Sequence, residues 1–312
     1  FSAVPVHLPN ASEFVRTLYH ATQTIPAGEV LSYGDLAEKL GNAGATRAVG
    51  SALGKNPIPL IIPCHRVVAA SGKLGGFSSP GGTQTKLKLL DAEGVCLIPP
   101  ATITNSAQWK KSIAQLQKND ALFAKMAKLV KPFAFQPHLR DEPVAALTEA
   151  IVSQQLATKV AATILARVNS LIQIDGVTSA ERILQLPEQT LRGAGLSQMK
   201  VSFLKDLAAH YSDGKLSPLD KLQKMSDEQI IKEFTQIKGV GRWTVEMFLI
   251  FNLGRADVFP VLDFGVRKGV AKLYGLKEMP SPKEMLALGE NWRPYRSVAS
   301  LYLWRYQDDK LA

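Results

Sequence analysis

The chain has 312 residues, 46% of them hydrophobic, and 37 Lys and Arg stand against 27 Asp and Glu for a formal net charge of +10. At about 100–200 residues per domain that length suggests two domains, and the apolar content excludes a disordered chain. The two cysteines, Cys64 and Cys96, exclude a disulfide-stapled secreted scaffold, a four-cysteine zinc site and a cluster held by four thiolates. No apolar run reaches the ~18 residues of a membrane span, and the N-terminal residues lack the basic and apolar regions of a signal peptide. The expectation is an intracellular protein of the cytoplasm, nucleoid or nucleus. Its basic charge favours a polyanionic partner, nucleic acid first. Residues 1–118 carry 11 basic and 6 acidic side chains and the remainder 26 and 21, so each part has +5 and both can face the same polyanion.

Along the chain, residues 14–24 place Phe14, Val15, Leu18 and Ala21 on one helical face, and Ile25-Pro26-Ala27-Gly28 ends that helix. Ser32 is a good N-cap for a helix over residues 33–40, Gly41 stops it, and another helix covers residues 46–54. Two short helices about a turn make a helix-turn-helix, which can lay its second helix on DNA. Ile98-Pro99-Pro100 opens a polar stretch that reads as a linker over residues 98–119, because Pro-Pro continues neither a helix nor a central strand. Beyond it, helical periodicity recurs at residues 143–171, 180–186, 191–211, 219–234, 244–253, 264–274, 283–289 and 295–306, without strand alternation. The predicted fold is mainly α: a small α/β-type helix-turn-helix domain over residues 1–97, then an all-α domain over residues 120–312.

The most informative short stretch is Ile61-Ile62-Pro63-Cys64-His65-Arg66-Val67-Val68. A thiol is a useful nucleophile only as thiolate, which needs a nearby base or positive charge. His65 and Arg66 adjoin Cys64, and Glu93 follows downstream, so a Cys–His–Glu relay is chemically coherent. A lone cysteine is more commonly a buried structural residue, but these flanks favour the relay.

The stretch closely resembles the active site of the O6-alkylguanine-DNA alkyltransferase family. The resemblance extends through Gly28-Glu29-Val30-Leu31-Ser32-Tyr33, Arg47-Ala48-Val49-Gly50, Asn56-Pro57-Ile58-Pro59, Ser71-Gly72-Lys73-Leu74-Gly75-Gly76-Phe77 and Lys86 to Gly94, and covers about residues 4–97. It implies a winged-helix-like catalytic domain in which Cys64 takes the alkyl group from guanine O6, or thymine O4. His65 would deprotonate Cys64 through a water, and Glu93 would orient His65. Tyr33 would donate to guanine N3, the carbonyls of Cys64 and Val67 would hold the guanine amino group, and Ser78 would approach O6. Arg47 would fill the gap left by the flipped nucleotide, since O6 is out of reach in the stack, and Asn56 would bridge the recognition helix to the active-site loop. Cys96 lies outside the motif and reads as structural.

In the second half, Gln236-Ile237-Lys238-Gly239-Val240-Gly241-Arg242-Trp243-Thr244 is a glycine turn between helices, whose backbone N–H groups can hold a phosphate. Asp257-Val258-Phe259-Pro260-Val261-Leu262-Asp263 follows. This order resembles the helix-hairpin-helix glycosylase superfamily. Ala150-Ile151-Val152-Ser153-Gln154-Gln155 and Trp292-Arg293-Pro294-Tyr295-Arg296-Ser297 through Trp304 narrow the likeness to its AlkA-type 3-methyladenine DNA glycosylase II branch, over about residues 120–308. The resemblance implies that Asp263 is the catalytic carboxylate facing the charge that builds on the sugar. Trp243 and Trp304 would form an aromatic slot for a cationic base. Lys238, Gly239, Val240 and Gly241 would hold the DNA backbone, and Gln155 or Leu156 would wedge into the duplex. Carbonyls of residues 236–241 would hold a monovalent cation; no other metal and no cofactor is expected. Bifunctional members carry a Lys nucleophile where Trp243 stands, so a monofunctional enzyme is expected. Met247 replaces an aromatic pocket residue, and Gln155 a leucine.

Together these readings predict a two-domain enzyme for alkylation damage in double-stranded DNA, a monomer needing no protein partner and no membrane. The alternatives are a non-catalytic lesion-binding or regulatory protein, against which Cys64 and Asp263 argue, and a glycosylase for oxidised or deaminated bases, which Met247 and Gln155 leave open.

Overall fold

A computed structural model describes residues 4–9, 11–69, 74–95, 97, 100–138 and 142–308. Cys96 and residues 71–73 of the motif lie outside them. The chain divides into two compact units, Phe1–Pro99 and Pro100–Ala312.

The first unit contains α1 (Glu13–Gln23), α2 (Tyr33–Lys39), α3 (Thr46–Leu53) and α4 (Gly82–Ala92), with β1 (Leu31–Ser32) paired in parallel to β2 (Val67–Val68). The first three helices lie within one residue of their expected bounds. Ser32 sets the start of α2 through a reciprocal cap: its hydroxyl accepts from Asp35 N–H and its own N–H donates to the Asp35 carboxylate, both at 3.0 Å. Leu18, Leu36, Val49, Ile62 and Val67 are fully buried in the core these helices share. The two-residue ladder sets Leu31 opposite Val67 and Ser32 opposite Val68. It thereby joins the chain just before Tyr33 to the chain just after the tight turn Cys64–Arg66.

The second unit begins earlier than expected. The supposed linker carries α5 (Ser106–Asn119), whose Trp109 is buried and stacks on Tyr302 at 6.1 Å. Ahead of it, Ile103 N–H donates to Gly254 C=O at 2.6 Å and Ala256 N–H to Ala101 C=O at 2.8 Å. Residues 100–119 therefore belong to the second unit. The stretch is polar in composition, but its few apolar residues are one helical face, and that face is buried.

After α5 come α6 (Ala121–Leu129), α7 (Pro143–Ser153), α8 (Thr158–Ile172), α9 (Ala180–Gln185), α10 (Glu188–Gly193), α11 (Gln198–Ser212), α12 (Leu219–Leu222), α13 (Asp227–Phe234), α14 (Arg242–Phe251), α15 (Phe264–Tyr274), α16 (Pro282–Gly289) and α17 (Arg296–Gln307). Three expected long helices are broken. Residues 143–171 divide at Gln154–Ala157, where Gln155 takes φ 58° and Lys200 of α11 donates to the carbonyls of Val152 and Gln154 at 2.6 and 2.7 Å. Residues 191–211 divide between α10 and α11, and residues 219–234 at Ser226, which caps α13 reciprocally with Gln229. A small hairpin, β3 (Gln173–Ile174) with β4 (Val177–Thr178), turns at Asp175-Gly176, both at positive φ, a turn pair with a known hairpin preference.

Two cores fill this unit. One is built from α7 to α14, the other from α5, α6 and α15 to α17, and Phe135, Phe251 and Trp304 touch both. Buried Asp120 ties the second core together. One oxygen caps α6 through Leu122 and Phe123 N–H, and the other accepts from the indole of Trp292 at 2.8 Å and the hydroxyl of Tyr274 at 3.3 Å. Helix α15 lies against α17 at Gly265 and Gly269, where a Cβ would come within 2.7 Å of the Trp304 ring and the Leu303 carbonyl. Among the described residues no helix is long and apolar enough to cross a membrane.

Candidate active sites

In the first unit, Cys64, Tyr33, Phe77 and Ser78 line one cavity of about 430 Å³. Cys64 is 8% exposed. Asn56, just past α3, donates its amide to Cys64 Sγ at 3.1 Å and to Ile62 C=O at 2.8 Å, so a polar donor is aimed at the sulfur and stabilises charge that develops there. His65 Nε2 lies 3.0 Å from Glu93 Oε1, and His65 Nδ1 is buried without a hydrogen-bond partner among the described residues. Burial holds the His65 pKa down, against the pull of Glu93, so the imidazole is neutral near neutral pH.

Arg66 supplies what the sequence reading did not assign. Its Nε and Nη2 grip both oxygens of Glu93 at 2.8 and 2.6 Å, while Nη1 donates to Ile25 C=O. Burial pushes Glu93 up, but these bonds and the one to His65 outweigh it and hold the carboxyl below the usual range. Lys86 is the other unassigned group. It is fully buried, donates to Val67 C=O at 2.6 Å and lies over the Tyr33 ring at 5.8 Å. Burial lowers it to about 8, opposed by Cys64. Of the carbonyls expected to hold guanine, that of Val67 thus already accepts from Lys86 and that of Cys64 from Val67 N–H, leaving one lone pair each. Burial and the neighbouring Cys64 raise Tyr33, which keeps its proton. Arg47 is exposed in the first turn of α3, outside the cavity lining.

In the second unit, Asp263 caps α15 and is only 9% exposed. Its Oδ1 accepts from Val266 N–H and from the Trp304 indole, both at 2.7 Å, and its Oδ2 accepts from the Trp243 indole at 2.8 Å. The two tryptophans expected to form a slot are therefore also the donors that fix the carboxylate. Trp243 is 46% exposed, and Trp304 stacks on Phe251. The Trp292–Ser297 signature fixes the approach to Asp263. Arg296 and Arg293 clamp Asp257 at 2.7–2.9 Å, and the Ser297 hydroxyl accepts from Val258 N–H. Two cavities, of about 290 and 460 Å³, are lined by residues of α7 and α14; Met247 lines both and Trp243 the larger.

The hairpin between α13 and α14 departs from expectation in detail. Lys238 N–H donates to the Asp206 carboxylate and Val240 N–H to Ile237 C=O, so neither is free for a phosphate. The N–H groups of Gly239 and Gly241 have no acceptor among the described residues. Gly239 C=O accepts from the Gln154 amide at 2.8 Å, which ties the hairpin to the turn bearing exposed Gln155 and Leu156. Of the carbonyls expected around a cation, those of Ile237 and Gly239 thus each serve a protein donor. Gly239 sits at φ 77°, and a Cβ there would fall 2.1 Å from the Phe203 ring. Gly239→Ala is expected to cost about 2 kcal/mol of stability and to weaken DNA binding about tenfold as the turn shifts its N–H groups, checked by thermal unfolding and fluorescence anisotropy.

The family model described as the DNA-binding domain of 6-O-methylguanine DNA methyltransferase matches residues 13–95, and that of HhH-GPD superfamily base excision DNA repair proteins matches residues 148–294. DNA-3-methyladenine glycosylase 1 of Schizosaccharomyces pombe is 36% identical over 166 residues, 53% of this chain and 73% of the relative. The chain belongs to the HhH-GPD superfamily. Ahead of that glycosylase domain it carries a methyltransferase DNA-binding domain. A solved 3-methyladenine DNA glycosylase from S. pombe, in complex with abasic DNA, superposes with a TM-score of 0.57 at 34% identity, covering 62% of this chain and 95% of the other. The methylated-DNA–protein-cysteine methyltransferase of Mycolicibacterium paratuberculosis is 55% identical over 82 residues, 26% of this chain. The chain spans about half of that relative's length, 48%.

Proposed function

We propose that this HhH-GPD chain repairs alkylated DNA by two reactions. The first unit moves an alkyl group from guanine O6 to Cys64. The thiol proton passes through a water to His65 Nδ1, the ring nitrogen left without a protein partner, while Glu93, anchored by Arg66, holds Nε2. The sulfur–carbon bond forms as the O6–carbon bond breaks, and the Tyr33 hydroxyl donates to N3 of the departing guanine. The thioether is stable, so each molecule reacts once. The second unit hydrolyses the N-glycosidic bond of an alkylated base. Asp263 faces the positive charge growing on the sugar, water adds to that carbon, and free base and an abasic site result.

What carries the reading is that each reactive group is held by dedicated donors: Asn56 on the sulfur of Cys64, which lines a cavity of ligand size, and two indoles on the carboxylate of Asp263, one of them from Trp243, which lines a second cavity. These arrangements favour catalysis over mere lesion binding. Duplexes bearing O6-methylguanine or 3-methyladenine test it. Alkyl-cysteine is scored by mass and free base by chromatography, with borohydride present in a parallel sample. The expected result is one methyl per protein on Cys64, catalytic release of 3-methyladenine, and no borohydride-trapped complex, since Trp243 offers no amine. Absence of both products would refute the proposal.

A further inference from the structure

The two ring nitrogens of His65 have different surroundings. Nε2 lies 3.0 Å from Glu93 Oε1, and a carboxylate only accepts, so Nε2 carries the proton of the neutral ring. Nδ1 is buried with no hydrogen-bond partner among the described residues, and is the free acceptor. A buried imidazole beside a lone carboxylate gains by taking a second proton, because the two then form an ion pair. Such a ring enters the reaction already charged, with Nδ1 a donor and no longer a base. Glu93 is not a lone carboxylate. Arg66 Nη2 shares Oε1 with His65 at 2.6 Å, Arg66 Nε takes Oε2 at 2.8 Å, and Arg66 Nη1 is rooted on Ile25 C=O, just past α1. The side chains of His65, Arg66 and Glu93 are 2%, 11% and 19% exposed, so water and salt screen these charges weakly.

We propose that Arg66 is a positioning residue of the alkyl transfer, one that occupies both oxygens of Glu93 and so confines that carboxylate to orienting His65 instead of ion-pairing with it. The inference rests on the alkyl-transfer reading above. With Arg66 in place the charge of Glu93 is already met, and a proton added to His65 leaves a net positive cluster out of water. Without Arg66 the same proton completes a neutral pair. The charged groups acting on His65 are Glu93 just past α4, Lys86 of α4 and Arg66 of its own turn; Glu93 favours the protonated ring and the two cations oppose it. A general base works best when its proton affinity lies near the working pH. Arg66 lowers the affinity of Nδ1 and thereby keeps that nitrogen empty until the thiol of Cys64 supplies a proton. The bonds that orient the ring thus also set its charge.

Single-turnover methyl transfer from an O6-methylguanine duplex to Cys64, scored by mass, is measured from about pH 5 to about pH 7.5, a range in which Lys86, at about 8, stays mostly charged. The unaltered protein is expected to lose rate only below the ordinary histidine range. Arg66→Gln should lose it roughly one pH unit higher, with a deficit of about tenfold at the acid end that narrows toward the alkaline end. Arg66→Lys, which keeps the charge with fewer donors, should leave the acid limb in place. A rate that is unchanged, or reduced by the same factor at every pH, overturns the proposal by giving Arg66 no role or a structural one. A limb that moves equally in Arg66→Lys and Arg66→Gln overturns it too. Should Arg66→Gln not fold, Glu93→Gln is compared with the double variant Arg66→Gln with Glu93→Gln, which removes both charges together. Arg66 faces His65 unopposed in the first and is gone from the second, so the limb should lie roughly one pH unit higher in the second; equal limbs overturn the proposal. If the unaltered protein takes up no methyl at any pH, the alkyl-transfer reading itself falls, and this inference with it.

Discussion

Cys64→Ala is expected to carry no methyl group after incubation with O6-methylguanine DNA, while release of 3-methyladenine continues at the original rate. The loss is total because no other described side chain on that cavity is a comparable nucleophile: Tyr33 is held protonated and Ser78 has no adjacent base. The second reaction is expected to be spared because Cys64 belongs to the core of the first unit and Asp263 to the second. Asn56 loses one acceptor but keeps Ile62 C=O, so the fold should lose no more than about 1 kcal/mol. Mass spectrometry of the intact chain and chromatography of the released base read both reactions from one tube. A labelled methyl still appearing on the variant would move the acceptor elsewhere.

Asp263→Asn should do the converse. Alkyl transfer persists, and single-turnover base release falls about 10²–10³-fold, the usual effect of removing an electrostatic partner of the transition state. The amide can still cap α15, because its oxygen can accept from Val266 and Trp304 as Oδ1 does now. Its NH2 then meets the Trp243 indole, a donor facing a donor. That mismatch should cost about 1–3 kcal/mol and free Trp243 from the carboxylate position. Trp243→Phe separates the two effects, since it removes the donor and leaves the charge. A variant Asp263→Asn that releases base normally would show that the sugar's charge is met by some other group.

Much of this was legible in the residues. Cys64, His65, Glu93 and Asp263 stand out because their chemistry needs partners, and the partners come at fixed spacing. Helix α15 matches the periodicity of residues 264–274 to the residue, and in the structure Asp263 caps its start and Gly275, at φ 64°, its end. The breaks within residues 143–171 and 219–234 were not legible. The apolar pattern runs on in phase across them, and what ends α7 is Lys200, a side chain from another helix. Nor does spacing show that Arg66 shares Glu93 with His65, or that Lys86 is buried under Tyr33, because each contact is made only once the chain has closed. The segment 100–119 has the polar composition of a linker, and only the helical spacing of Trp109, Ile113 and Leu116 marks the face that it buries. The Asp175-Gly176 pair is a local hairpin signal in a stretch otherwise of helical period.

The contact of α15 with α17 has a consequence for how the second unit holds its chemistry. An 11-residue helix with glycine at its second and its middle position gives up about 1 kcal/mol at the middle one, and is short enough to be marginal if left alone. The same absence of side chains lets α17 approach closely enough to seat Trp304 on Asp263. The packing ties the order of α15 to α17, so the amides of the two helices are expected to share their protection, checked by native-state hydrogen exchange. The Asp263 carboxylate keeps the Trp304 donor only while α17 is docked, so a change in that helix is felt at Asp263.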